Sequence, residues 1–198
     1  MQNLTFKNIT SQHIQDCFSK TFQQFTALHD HPFLLEQLSL KNYTMRAQPV
    51  VNWAFWHRAT RHYQVQTSDH LQLRQYIRME ELPEEVLIGW FAHELGHIMD
   101  YRERSALNMI FFLLRYLMVP NYRMGAERRA DLFAIEQGFG DALMATKRYI
   151  LDQSKLPEKY KQRIRRYYLS PTELETILKE KEAELGEIIE TNQGTSIT

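Results

Sequence analysis

Cysteine is nearly absent from this chain: Cys17 is the only one in 198 residues. An internal disulfide framework is therefore excluded, and a lone thiol fits a reducing compartment. Net charge is absent as well, because 24 Lys and Arg balance 24 Asp and Glu. No global field draws the chain to nucleic acid or to an anionic membrane, and no nucleic-acid partner is expected. The start, MQNLTFKNIT, lacks a basic segment followed by an apolar run. No secretory signal is read there, and a cytoplasmic location is expected. Internal repeats and low-complexity linkers are also missing, which leaves a single domain over residues 1–198 as the simplest division.

A bilayer-spanning run is missing too. The longest apolar stretch, ALNMIFFLLRYLMVP at residues 106–120, has an apolar run of about 14 residues with Arg115 inside it. That is short of the roughly 20 residues a transmembrane helix needs. A helix buried in the core is the favoured reading of 106–119. Peripheral membrane contact, with Arg115 snorkelling outward from an interfacial helix, is the alternative.

What the chain does hold is 43% hydrophobic and 12% aromatic residues, the content of a folded globule. Ile14, Phe18, Phe22 and Phe25 recur at helical spacing, predicting an amphipathic helix over 11–28. HDHPF then breaks it, with Pro32 forcing an extended residue before it and His29 and His31 in a solvated loop. From Tyr43 to Met79 the pattern changes. YTMRAQPVV and RHYQVQTS alternate, LQLRQYIRM alternates or continues as loop, and two to four strands are expected.

Pro83, Glu84 and Glu85 open a helix that runs to about Tyr101. A second helix occupies the apolar stretch and is stopped by Pro120. A third runs from near Gly125 to EQGFG, and a fourth covers DALMATKRYILDQ. Ser170, Pro171 and Glu173 have capping-box spacing at the head of a charged helix over about 170–190, followed by a tail at 191–198. Residues 155–168 hold six Lys or Arg against one Glu, while 173–190 hold seven Glu against two Lys. Two surface helices that screen one another account for these blocks better than a nucleic-acid grip.

The segment with the sharpest chemistry is FAHELGHIMDY, residues 91–101. On a helix, His93 and His97 stand one turn apart on one face, so both imidazoles can reach one ion. Glu94 lies about 100° round the helix from His93, near enough to reach a water at the metal without ligating it. From Trp90 to Met99 the only charged residue is Glu94. A solvated helix would carry more charge, and burying three such groups without partners is costly.

A working zinc needs a third protein ligand. A metzincin-type continuation is excluded, because position 100 is Asp and position 103 is Glu, which would point away from the ion. MGAERRADLFAI, residues 124–135, supplies a better candidate. Glu127 and Asp131 share one helix face. Glu127 would complete a His₂Glu site, and Asp131 would accept the other ring N–H of a ligand histidine. Arg128 and Arg129 lie off that face and are expected to be solvated.

This pairing of H-E-x-x-H with a downstream E-x-x-x-D resembles the gluzincin group of zincin metallopeptidases. IGWFAHELGHIMDY and AERRADLFAIEQGFG also resemble small predicted metallopeptidases of bacteria. The likeness covers residues 86–140. It implies an α+β zincin-like fold, with a small N-terminal sheet packed on a helical subdomain that carries the histidine helix. It also implies one Zn²⁺ per chain on His93, His97 and Glu127, with Glu94 as general base, Asp131 accepting from His93 as in thermolysin-like members, and a peptide or protein as substrate. Tyr122, Arg123 and Tyr149 are candidate oxyanion donors. The competing readings are a regulatory or sensor module that keeps a zinc site, and hydrolysis of a non-peptide amide. A purely structural zinc, however, has no use for Glu94. Peptide deformylase takes a cysteine ligand, and Cys17 sits in a distant helix.

Overall fold

The computed structural model describes residues 3–40, 43–71, 77–152 and 156–194, with side chains described as far as residue 187. Four short strands come first: β1 (Leu4–Lys7), β2 (Phe33–Gln37), β3 (Met45–Pro49) and β4 (Tyr63–Thr67). Helix α1 (Gln12–Gln24) crosses over between β1 and β2. Six more helices follow β4: α2 (Glu84–Arg102), α3 (Ala106–Met118), α4 (Pro120–Glu136), α5 (Gly140–Asp152), α6 (Glu158–Tyr167) and α7 (Pro171–Gly194). The architecture is α+β, with a small sheet and mostly helical content.

The sheet runs β1-β2-β4-β3. The first three strands are parallel, and β3 is an antiparallel edge strand. Two adjacent rows of cross-strand neighbours define its faces. Phe6, Leu35, Val65 and Ala47 lie in register on one face. Lys7, Glu36, Gln66 and Arg46 lie in register on the other. In this polar row Lys7 Nζ reaches Glu36 at 2.7 Å, Gln66 Nε2 donates to Glu36 at 3.0 Å, and Arg46 Nε donates to Gln66 at 2.7 Å. The strand period of two separates an apolar face from a hydrogen-bonded one.

Helix α2 is the axis of the molecule. Every residue from Val86 to Ile98 is buried, which is what an all-round apolar helix demands. It packs on α1, α4, α5 and the edge strand β3. Two glycines permit the close helix crossings. A Cβ on Gly89 would meet Ala142 O at 2.1 Å, and one on Gly96 would meet Ala130 O at 2.2 Å. Phe18 wedges between sheet and helix, edge-on to Phe91 at 5.1 Å and 5.8 Å from Phe33. Cys17 is buried beside them, its thiol pushed up to about 11 by burial and by the Glu84 and Asp16 charges.

Several expectations are corrected. Helix α3 is not a core helix: Ala106, Met109 and Phe112 are buried, but its other large apolar side chains are exposed. Helix α4 starts at Pro120 rather than near Gly125, because Pro120 takes the first helical position, where its missing N–H costs nothing. His31 is buried, not solvated, with Nδ1 3.0 Å from Arg61 O, while His29 is half-buried against Phe22 O. Arg128 and Arg129 are half-buried and paired, the first with Glu173 at 2.5 Å and the second with Asp100 at 3.4 Å. The acidic α7 therefore pairs with α4, while Arg165 of α6 pairs with its own Glu158 at 2.6 Å.

Among the described residues of the 43–79 region, two strands, β3 and β4, are present, with a bridge between His70 and Arg78. Most of LQLRQYIRM, residues 72–76, lies outside the described residues. The C-terminal helix continues to Gly194, beyond the expected end, and residues 195–198 lie outside the described residues. Strands β1 and β2 had no counterpart in the sequence reading. None of the described helices is long and apolar enough to cross a membrane.

Candidate metal centre

Two helices supply the centre. One turn of α2 stacks His93 and His97 on a single face, their rings 4.7 Å apart and nearly perpendicular. Helix α4 crosses α2 at Gly96, close enough to bring Glu127 and Asp131 against the two imidazoles. His93 Nε2 is 3.1 Å and His97 Nε2 3.2 Å from the same oxygen, Glu127 Oε2. His93, His97 and Glu127 are buried, and one ligand atom from each lies within 4.8 Å of the others, a group that could hold a metal ion.

The donor set argues for a cation. Asp131 Oδ1 is 2.8 Å from His93 Nδ1 and accepts its N–H. In the neutral ring the opposite nitrogen, Nε2, then carries a lone pair, and that lone pair faces the Glu127 carboxylate. Two negative ends so close in a buried place need a positive charge between them. A proton on His93 fills that role. Burial lowers the pKa of His93, but hydrogen bonds to Asp131 and Glu127 outweigh it and raise it to about 10. A divalent cation would take the proton's place. Burial also acts to raise Glu127, but the His97 charge and the bonds to both histidines hold it well below the usual carboxylate range.

Glu94 sits on the sheet side of α2. Its carboxyl is pushed up by burial, opposed by the charges of His93 and His97 and by a hydrogen bond from the Ala47 backbone. Ala47 belongs to the edge strand β3, so Glu94 stands between the centre and that edge. The small Ala47 side chain, in register with Val65 on the inner face, lets α2 come this close.

Asp131 engages three groups. Besides His93, it accepts from Lys147 Nζ at 2.7 Å and from the Leu169 backbone N–H at 3.1 Å. Lys147 (on α5) and Leu169 (after α6) were not singled out from sequence, nor were Tyr116 and Tyr168. The Tyr116 hydroxyl donates to Glu127 Oε1, and the Tyr168 ring lies 5.1 Å from that of His93. On α6, Tyr160 hydrogen-bonds Thr44 beside β3, and Arg163 feels the charge of Glu127. A tyrosine inside an apolar run or a basic stretch gives no spacing signal toward a distant acid. The buried Lys147 could have been suspected only from its place on the apolar face of α5.

None of the described contacts joins the three expected oxyanion donors directly to His93, Glu94, His97 or Glu127. Tyr122 packs on Phe112 at 5.6 Å, Arg123 donates to the Tyr116 and Leu117 carbonyls, and the partly buried Tyr149 feels Glu81. Glu103 is turned away from the centre and paired with Arg58 at 3.1 Å. No protein-family model, curated protein or solved structure matches this chain.

Proposed function

We propose that this protein is a zinc-dependent hydrolase, a zincin-like metallopeptidase that cleaves peptide bonds. The observation that carries the reading is the convergence of His93, His97 and Glu127, with Glu94 buried next to them against an edge strand. Two nitrogen donors and one carboxylate, with Asp131 behind His93, suit Zn²⁺ in a catalytic rather than a closed structural site. Zinc held there would supply Lewis acidity toward a carbonyl oxygen and make water a better acid.

The chain's own groups supply the rest. Glu94, whose pKa is raised by burial, takes the proton from the attacking water at its carboxylate and hands it to the leaving amine. Asp131 fixes the His93 tautomer so that Nε2 faces the centre. The sheet ends at β3, whose outer edge has no strand partner among the described residues and would offer backbone groups to an extended peptide. Tyr116, which donates into Glu127, and Tyr168, which packs on His93, limit the water around the reacting groups.

Metal analysis and hydrolysis together test the proposal. The wild type is expected to hold about one zinc per chain with three protein ligands. His97→Ala should empty the site. Glu94→Gln should keep zinc and fold but lose cleavage of a proteome-derived peptide library by about 10²-fold or more. A wild type that cleaves nothing, with Glu94→Gln indistinguishable from it, would favour a metal-retaining regulatory module. Zinc undiminished in His97→Ala would refute the ligand assignment.

A further inference from the structure

Helix α3 buries only a narrow stripe. Ala106, Met109 and Phe112 face the protein, with Tyr116 reaching Glu127 at the end of the same stripe. The remaining surface is apolar and open. Leu107, Ile110, Phe111, Leu113, Leu114, Leu117, Met118 and Val119 are between 42% and 77% exposed. Scattered exposed leucines need no explanation, but a whole helix face of them marks an interaction surface.

Its electrostatics select the partner. From Ser105 to Ala126 the chain has no acid and two arginines, Arg115 and Arg123, while Arg104 before them is paired with Asp100 at 2.8 Å. Arg115 lies exposed at the rim, 5.9 Å from the Tyr122 ring. The nearest preceding acid, Glu103, is shared by Arg58 at 3.1 Å and Arg102 at 3.3 Å, so that trio keeps a positive charge. A two-fold pairing of this face with a second copy would bury or oppose Arg115 with no acid to meet it. An anionic surface with an apolar interior complements both features.

A second exposed apolar element is tied to the same end of the helix. Arg58 and Arg61 donate to the Arg102, Tyr101 and Arg104 carbonyls, which fastens the segment between β3 and β4 onto the α2–α3 turn. That segment carries Trp53, 91% exposed, and Trp56, 54% exposed. Tryptophan is a side chain that settles at membrane interfaces.

We infer that α3 rests in the plane of an anionic lipid surface, its outer apolar face sunk into the headgroup boundary and Arg115 among the phosphates. The helix lies on the membrane and does not cross it, since no described helix is long and apolar enough to span. Docked this way, the metal centre sits directly behind the membrane-facing helix, joined to it through Tyr116 and Glu127.

Vesicle co-sedimentation of the full chain tests this independently of metal content and hydrolysis. The wild type is expected to pellet with phosphatidylcholine vesicles containing phosphatidylglycerol, and far less with phosphatidylcholine alone. Phe111→Ser combined with Leu114→Ser, at exposed positions where the fold should survive, is expected to lower partitioning more than about ten-fold. Arg115→Gln is expected to lower it about five-fold, the loss of one basic charge at an anionic surface. Absence of wild-type binding to the anionic vesicles would overturn the inference, as would equal binding by the double serine variant. So would a wild-type dimer in analytical ultracentrifugation that the double variant dissolves, because a second copy would then cover the face.

Discussion

Lys147 Nζ lies 2.7 Å from Asp131 Oδ2, and both side chains are buried. The other oxygen of Asp131 holds His93, so a lysine on α5 supports a histidine on α2 through an acid on α4. Burial acts to raise Asp131, yet Lys147 and His93 together keep it below its ordinary value and therefore charged. The carboxylate that orients His93 stays an acceptor because Lys147 compensates it.

Lys147→Met tests this support. The substitution keeps the length and apolar stem but leaves a buried carboxylate short of its main cation. Breaking a buried pair from one side costs about 3 kcal/mol or more. Urea unfolding should report a loss of that order, and an unchanged midpoint would mean that Asp131 is compensated elsewhere.

Asp131→Ala bears on metal affinity rather than ligand number. Losing a group that orients a ligand histidine typically weakens binding or activity about 10–100-fold. In a chelator-competition titration the variant should fall between the wild type and Glu127→Ala. Asp131→Asn should do less harm, since its amide oxygen still accepts the imidazole N–H. Wild-type affinity in the alanine variant would remove the orienting role and leave the three ligands standing.

Gly96→Ala probes the crossing of α2 and α4. The new methyl would sit 2.2 Å from Ala130 O, and backbone cannot yield as a flexible side chain does. Overpacking of this kind costs about 1–3 kcal/mol. Because α4 carries Glu127, zinc affinity should fall along with stability. A variant with reduced stability but unaltered metal affinity would show that α4 relaxes without moving Glu127.

Acid should loosen the start of α7. Glu173 accepts from the Ser170 backbone N–H at 2.8 Å and pairs with Arg128, which lowers its pKa from 4.5 to about 2. A depressed carboxylate pKa contributes stability that is present above 4.5 and is lost as pH falls toward 2. The side chain is 43% exposed, so solvent screens the contribution and the effect is modest. The thermal midpoint of the wild type should exceed that of Glu173→Gln at neutral pH. The difference should shrink between pH 4.5 and 2. A constant difference across that window would assign the effect to packing.

The candidate site was legible to the extent that it is local. His93 and His97 share a face because the helix repeats every 3.6 residues, and Glu127 and Asp131 share one for the same reason. That Asp131 would meet a ligand histidine followed from chemistry, since an imidazole N–H in a buried place needs an acceptor, while His93 as that partner followed from the zincin resemblance. Tyr116, Lys147, Tyr168 and the Leu169 N–H reach the same cluster from three further parts of the chain. No periodicity links residues that far apart in sequence.

The same division runs through the fold. Alternation marked β3 and β4, Pro83 opened α2, and Ser170 and Glu173 formed their capping box, because each depends on neighbours within a turn or a strand pair. Strand β2, FLLEQ, has no clean alternation because it is central in the sheet and buried on both sides at Leu35 and Glu36. Helix α3 was misplaced for the complementary reason: its apolar residues run all round, which is the pattern of a core helix, but nothing among the described residues packs over its outer face. His31 was misplaced because its burial depends on Arg61 and Tyr63, which arrive from β4 and the turn before it. Sequence patterns state which faces are apolar and which residues share them. Only tertiary packing decides which of those faces are covered, because covering requires a partner surface that the local chain does not contain.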